Sequence, residues 1–304
     1  MSALVTIVVP TIGRPKYIGR TLDSILSQNY ENLEILISDN YPSISSSVTL
    51  KGYLDPRIKI ISQSRRLGFS EHMNVCLAAS SGDYLMILSD DDIISSNYVS
   101  EMVGILQGDG VTVAVGTQEA IGENDFFIRD IENPDSRVIS GDAYIYNMLS
   151  GKLDISVLTY FSLFARRKDI VKIGFKDYPD GSNADNFLFF SLALKGSVGV
   201  SGVWMGYRVY NASSGLSTPF SNLYTATWLY DQSIASMIYS RNRISVLRRL
   251  KLRAIFKWSS RSMLLARLSK IYKGNMPFAY YLFCRFKILF LFSISNIFFG
   301  FFKK

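Results

Sequence analysis

Three aspartates, Asp90, Asp91 and Asp92, stand side by side directly after the apolar run Tyr84 to Leu88. Adjacent carboxylates repel one another, and burial worsens the repulsion unless protons or a cation intervene. A divalent ion relieves it, because Mg2+ is typically held by one or two carboxylates together with substrate phosphates. An acidic cluster at a strand end therefore suggests a metal–diphosphate site. The plain alternative is a solvated acidic turn leading to the helix that begins near Ser96. Other chemistries are excluded by composition. His72 is the only histidine, which rules out sites built from several imidazoles. Cys76 and Cys284 are the only cysteines, too few for a disulfide framework or zinc ribbon, and they favour a reducing compartment.

The elements that must position this cluster follow from hydrophobic pattern. Leu4 to Val9 is a continuous, β-branched apolar run, as a buried parallel strand requires. After the loop Pro10 to Pro15, Ile18, Leu22, Ile25 and Leu26 repeat at helical spacing between Tyr17 and Gln28. Further strands are expected at Leu33 to Ile37, Ile58 to Ile61 and Tyr84 to Leu88, and a helix at Ser70 to Ala79 with Ser70 as its cap. Alternating strands and helices imply βαβ units and a parallel sheet. In such sheets ligands collect beyond the carboxyl ends of the strands. That rule selects Thr11, Arg14, Asp39 and the carboxylates after Leu88.

The charge is unevenly placed. The 304-residue chain carries a net +8, yet no Asp or Glu occurs from Gln232 to the end, while 15 Lys or Arg lie between Arg241 and Lys304. An acidic body thus bears a basic tail, which suits a polyanionic partner. Phe278 to Phe302 holds eleven Phe or Tyr, and the uncharged stretch Ile288 to Phe302 has 15 residues. As a helix that stretch spans about 22 Å, short of a hydrocarbon core of about 30 Å. It suits an interfacial helix with Lys and Arg at the headgroups. A buried C-terminal helix is the alternative. The N-terminal apolar stretch lacks a basic n-region and runs into Pro10, so no signal peptide is expected.

The string VVPTIGRPKYIGRTLDSILSQNYENLEILISDN (Val8 to Asn40) resembles the opening of the inverting glycosyltransferases of family 2, which have the GT-A fold. LGFSEHMNVCLAASSGDYLMILSDDDI (Leu67 to Ile93) is similar to their segment leading into the DXD metal motif. The likeness is greatest to members that build bacterial surface polysaccharides such as O-antigen. It implies an α/β fold, with a Rossmann-like, mostly parallel sheet flanked by helices.

The resemblance also implies roles. Pro10, Thr11 and Arg14 match the loop that touches the nucleotide, and Asp39 matches the acidic residue that recognises the base. Arg66 stands where many relatives have Asn. Asp90 corresponds to a ribose- or metal-facing position, Asp91 to the principal ligand of Mg2+ or Mn2+, and Asp92 to a second ligand or its support. Ser89 occupies the place of the first Asp of the relatives' D-x-D-D. The family base is an Asp followed by a helix, and Asp185 fits, with Ala184 in place of the usual Glu; Asp177 and Asp180 are rivals. Asp185 as a helix N-cap is the alternative. Arg208 follows an aromatic residue and suits diphosphate. His72, at the start of its helix, is a candidate for phosphate or sugar contact.

The resulting expectation is a metal-dependent inverting transferase that moves a sugar from a nucleoside-diphosphate sugar to a saccharide hydroxyl, with a lipid-diphosphate-linked acceptor. Residues 1–110 form the donor half, 111–220 the acceptor half with the base, and 221–304 a helical segment holding the enzyme peripherally at the cytoplasmic face of the membrane. A sugar-1-phosphate nucleotidyltransferase is the rival enzyme, though its Gly-rich loop is poorly matched by Pro10 to Pro15. A nucleic-acid-binding protein lacks any supporting motif, and no nucleic-acid partner is expected. A catalytically dead membrane scaffold is disfavoured by the intact Asp triplet.

Overall fold

The structure is a computed structural model, and it describes residues 2–13, 15–40, 50, 52–121, 136–149, 163–178, 184–208, 233–234, 236, 238, 250 and 252–255. The chain divides into two compact units, one of Met1–Asp177 with Ala184–Asn211 and one of Tyr178–Asn183 with Ala212–Lys304. In the second unit, Tyr178, Ile234, Ile238 and Leu252 are buried, and burial pushes the Tyr178 hydroxyl pKa up to about 12. The basic aromatic tail lies almost wholly outside the described residues. Among those that are described, no helix is long and apolar enough to cross a membrane.

The first unit is built on one nine-stranded sheet. β1 (Val5–Thr11) lies between β2 (Leu33–Asp39) and β4 (Tyr84–Ile87), parallel to both, and β3 (Ile58–Ser62) pairs parallel with β2 at the edge. The other half contains β6 (Val111–Ile121) and β9 (Ser197–Arg208), which run parallel over the longest ladder. β8 (Phe164–Arg166) joins the halves through short antiparallel contacts to β4 and β6. β5 (Ile93–Ile94) and β7 (Arg137–Ser140) add short antiparallel pairs to β9. Most of the paired residues lie in parallel ladders, so the sheet is mostly parallel.

Hydrophobic pattern explains the burial. Every residue of β2 is buried, as a strand covered on both faces requires. Val5, Ile7 and Val9 of β1 pack in one core with Ile18, Leu22 and Ile25 from α1 (Pro15–Leu26) and with Tyr98, Met102 and Leu106 from α3 (Tyr98–Leu106). The helix α1 starts two residues earlier than its apolar repeat, because Pro15 suits the first helical turn. Arg166 supports α3 at its far end, donating from Nη2 to the Leu106 carbonyl at 2.5 Å and from Nη1 to the Val111 carbonyl at 2.7 Å. Helix ends need such partners for their last carbonyls.

Two further helices cover the second half. α4 (Gly141–Leu149) follows β7, and α6 (Ala184–Ala193) precedes β9. Gly141 permits their contact, since a Cβ there would overlap the Ala193 carbonyl oxygen. The short α5 (Arg167–Ile173) ends at Gly174, whose φ of +65° favours glycine.

The amino-terminal end of the sheet carries a buried acid. Glu34 accepts from Thr6 Oγ1 at 2.5 Å, Lys59 Nζ at 2.7 Å, and the Ser81 N–H and hydroxyl at 2.8 and 2.7 Å. Burial alone would raise its pKa, but these donors hold it at about 2. The carboxylate thereby ties β1, β2, β3 and the turn before β4 at the end opposite the expected site.

α2 (Phe69–Ala79) differs from expectation at its start. Gly68, in an extended conformation, stands at the N-cap with no side-chain cap bond. Ser70 is not the cap: it lies within the first turn, and its hydroxyl donates to the Lys176 carbonyl at 2.8 Å. The Asp83 side chain accepts the Leu4 N–H at 3.0 Å, bringing the start of β4 beside the start of β1.

Candidate active site

β1, β2 and β4 finish on one edge of the sheet, and Thr11, Asp39 and the Asp triplet lie at or just beyond those ends. Thr11 pairs with Asp39 in the β1–β2 register, and the Asn40 N–H donates to the Thr11 carbonyl at 2.9 Å. The Thr11 hydroxyl accepts the Gly13 N–H at 3.1 Å and donates to Asp90 Oδ2 at 2.5 Å. Gly13 has φ +82°, which lets the chain turn sharply back toward that hydroxyl. Thr11 therefore ties the loop after β1 to the acidic cluster after β4.

The aspartates Asp90, Asp91 and Asp92 are all buried, at 0%, 6% and 5% exposure, in a turn closed by the Asp92 N–H donating to the Ser89 carbonyl at 3.2 Å. Asp39 is likewise buried, and its carbonyl accepts the Gln63 N–H at 2.9 Å. Among the described residues no three His, Cys, Asp or Glu side chains converge to hold a metal. An ion of the Mg2+ type needs only one or two carboxylates when phosphate oxygens complete its shell. Asp91 and Asp92, adjacent buried hard-oxygen donors, fit that requirement.

A chain segment carrying Arg66 and Leu67 is fixed against this edge. Asn40 Nδ2 donates to the Leu67 carbonyl at 3.0 Å, and Asn40 Oδ1 accepts the Leu67 N–H at 2.8 Å. One side chain thus satisfies both backbone groups of one residue, as a neighbouring strand would.

α2 divides its duties by helical spacing, since positions four apart share a face. His72 and Cys76 face Ser38 of β2. His72 Nε2 lies 2.8 Å from Ser38 Oγ. Burial lowers the His72 pKa below the usual 6.5, against the raising influence of Ser38 and Asp39. Burial also pushes the Cys76 thiol up to about 11, although Ser38 hydrogen-bonds it. Both are neutral near pH 7, and Cys76 is core. Ser70 and Asn74 lie on another face and hold the segment after α5. Asn74 Nδ2 donates to the Phe175 carbonyl at 2.9 Å, and Asn74 Oδ1 accepts the Phe175 N–H at 2.8 Å.

A cavity of about 320 Å3 opens between these groups. Its polar wall comprises Thr11, Asn40, Arg66, His72, Ser89 and Asp185, with Pro10 beside them. Ile12, Leu67, Phe69, Leu163, Phe175 and Leu188 supply much of its apolar wall. Phe69 and Phe175 meet edge to face with ring centroids 5.9 Å apart. Asp185 is the second residue of α6 rather than the residue before it, and its Oδ1 accepts the Asn186 N–H at 2.7 Å. The helix amino terminus there favours a negative charge.

Of the residues singled out from sequence, Pro10, Thr11, Arg66, His72 and Asp185 thus line one cavity, with Ser89 bringing the Asp triplet to its edge. Asp177 is exposed and is not part of that wall. Arg14, Asp180 and the Arg208 side chain lie outside the described residues. Sequence reasoning missed Asn40 and Asn74, whose partners Leu67 and Phe175 are distant in the chain. The position of Asn40 beside Asp39 at a strand end was the one available signal.

The family model described as glycosyl transferase family 2 matches residues 6–174. Two curated relatives are bacterial. The glycosyltransferase GlyG of Streptococcus pneumoniae is 27% identical over 127 residues, 41% of this chain and 42% of the relative. WfgD of Escherichia coli, a UDP-Glc:alpha-D-GlcNAc-diphosphoundecaprenol beta-1,3-glucosyltransferase, is 24% identical over 156 residues, 51% of this chain and 58% of the relative. The chain thus spans about half the length of these relatives. The fold matches that of Staphylococcus aureus TarS 1–349, with a TM-score of 0.66 and 15% identity over 91% of this chain and 76% of that one. The same TarS fragment has been solved with UDP-GlcNAc and matches with a TM-score of 0.65 at 14% identity, over 85% of this chain and 73% of that one.

Proposed function

The chain belongs to glycosyl transferase family 2, and from that membership we propose that it transfers a sugar, with inversion, from a nucleoside-diphosphate sugar to a saccharide hydroxyl. The observation that carries this reading is a single cavity lined both by Pro10, Thr11 and Asn40, at the ends of β1 and β2, and by Asp185. A donor nucleotide lies against Pro10, Thr11, Asn40 and the Arg66–Leu67 segment, with Asp39 and Asp90 behind it. Arg14 and Arg208, by their sequence positions, are assigned to the phosphates. His72 presents a neutral imidazole suited to a hydrogen bond with donor or sugar oxygens.

In this reading the acceptor hydroxyl oxygen attacks the anomeric carbon as the bond to the diphosphate breaks. The nucleoside diphosphate leaves with that bond's electron pair, and the Asp185 carboxylate takes the hydroxyl proton. Asp91 and Asp92 would hold Mg2+ or Mn2+, which stabilises the negative charge developing on the leaving diphosphate. The apolar walls exclude water, which would otherwise compete as acceptor.

Residues 1–110 then serve the donor and 111–220 the acceptor and base. The basic aromatic segment 221–304 holds the enzyme peripherally at the cytoplasmic membrane face, where a lipid-diphosphate-linked saccharide is presented. The acceptor class is supported by WfgD, whose name specifies a diphosphoundecaprenol-linked substrate.

Calorimetric titration with a panel of nucleoside diphosphates, with and without Mn2+, tests the donor site. Metal-dependent binding of one nucleotide, lost in Asp91→Asn, is expected. Failure of the folded protein to bind any of them overturns the proposal.

A further inference from the structure

α2 contacts both sides of the cavity, and the contact to the acceptor side runs through a residue with no role in the reading above. Asn74 holds both backbone groups of Phe175, and Ser70, one turn earlier on the same face, donates to the next carbonyl, that of Lys176. Lys176 in turn places Nζ 4.6 Å from the ring centroid of Phe187, on the helix that carries Asp185. Phe175 lines the cavity together with Asp185 and Leu188. The series therefore runs from α2 through the segment Gly174–Asp177 to α6.

We propose that Asn74 is a positioning residue for sugar transfer: it sets Phe175 as a wall of the cavity and aligns the Asp185 side with the donor side. The inference rests on the transferase reading of this cavity. Three observations favour positioning over simple structural support. Asn74 is itself exposed, so its truncation leaves no core cavity. Both of its amide hydrogen-bonding groups are spent on one residue, and that residue faces the cavity. Gly174, just before Phe175, has a positive φ, and a Cβ added there would lie 3.2 Å from Asn74 Oδ1, so the chain is shaped to meet this amide.

The test compares wild type with Asn74→Ala, Phe175→Ala and the double variant, by hydrogen exchange, nucleoside-diphosphate affinity and acceptor kinetics. In Asn74→Ala, exchange at the Phe175 amide is expected to rise about tenfold or more as its acceptor is lost. Nucleotide Kd stays within about twofold, while kcat/KM for the acceptor falls about 10- to 100-fold, the scale of a small misplacement. In the Phe175→Ala background the same change is expected to cost clearly less than in wild type, because the part acting through the Phe175 ring is already lost.

Unchanged acceptor kinetics, an equal loss of nucleotide affinity, or fully additive losses would overturn the proposal. Where Asn74→Ala does not fold, Asn74→Asp replaces it, keeping an acceptor for the Phe175 N–H but setting a carboxylate against the Phe175 carbonyl; the same outcomes decide. A wild type that neither binds nucleotide nor transfers sugar counts against the transferase reading instead. In that case the exchange result still decides the contact: a Phe175 amide unprotected in wild type overturns it, and protection lost on substitution supports it.

Discussion

Ser38 Oγ of β2 and His72 Nε2 of α2 lie 2.8 Å apart in a region closed to solvent. The contact joins the end of a central strand to a helix whose residues line the cavity. It also keeps the imidazole where burial disfavours its charge.

A pH effect on stability follows. The folded pKa of His72 lies below the ordinary 6.5, so the unfolded chain takes up the proton first as pH falls. Its contribution is constant above about pH 6.5 and declines below. Melting temperatures measured between pH 7.5 and 5.5 should fall more steeply for wild type than for His72→Asn. Parallel curves would contradict the assignment.

Glu34 has the opposite origin but the same direction. Its folded pKa of about 2 lies below the ordinary 4.5, so its stabilisation is complete above about pH 4.5 and erodes as pH falls toward 2. Glu34→Gln is expected to cost about 1–3 kcal/mol at pH 7, the scale for disrupting a buried charged hydrogen-bonding group. Urea unfolding at pH 7 and pH 3 should show that deficit shrinking in acid.

Thr11 donates to the fully buried Asp90. Replacing it with Val removes that donor while conserving shape, and should lower stability by about 1–3 kcal/mol. Thr11→Ser, which keeps the hydroxyl, should recover most of the loss. Equal melting temperatures for the Val variant and wild type would show that this bond contributes little.

Asn40 predicts a separation from Asn74. Asn40→Ala frees Leu67 and the adjoining Arg66, so nucleoside-diphosphate affinity should weaken about 5- to 20-fold, corresponding to about 1–2 kcal/mol. Titration calorimetry reads this directly. An unchanged Kd would mean that the Arg66–Leu67 segment stays in place without its amide partner.

Asp185→Asn removes the proposed base without adding bulk. Transfer should fall about 100- to 10,000-fold, with nucleotide binding intact. Comparable losses in Asp177→Asn would point instead to the exposed rival.

Much of the fold is legible because buried parallel strands leave a local record. The β-branched run at Leu4 to Val9 and the alternation of strand and helix locate β1 to β4 within one or two residues, and strand ends pick out Thr11, Asp39 and the Asp triplet. Ser70 misleads, since a serine beside an apolar helical run signals a cap locally, whereas its hydroxyl is claimed by Lys176, which is 106 residues away. The Asn40 and Asn74 contacts share that cause. A side-chain amide that binds a distant backbone leaves no periodicity. The second half of the sheet is hard to read for a related reason: β8 has only three residues and is defined by its neighbours.

β1 carries a threonine near each end, and each is held by a different buried carboxylate, Thr6 by Glu34 and Thr11 by Asp90. Sliding the strand by one residue would turn its side chains to the opposite faces. Both hydroxyls would then leave their acids, and apolar residues would meet two buried carboxyl groups. The two bonds together favour one register of β1 over its neighbours. A misaligned strand would be penalised at both ends at once, so the register that builds the cavity edge is favoured twice over.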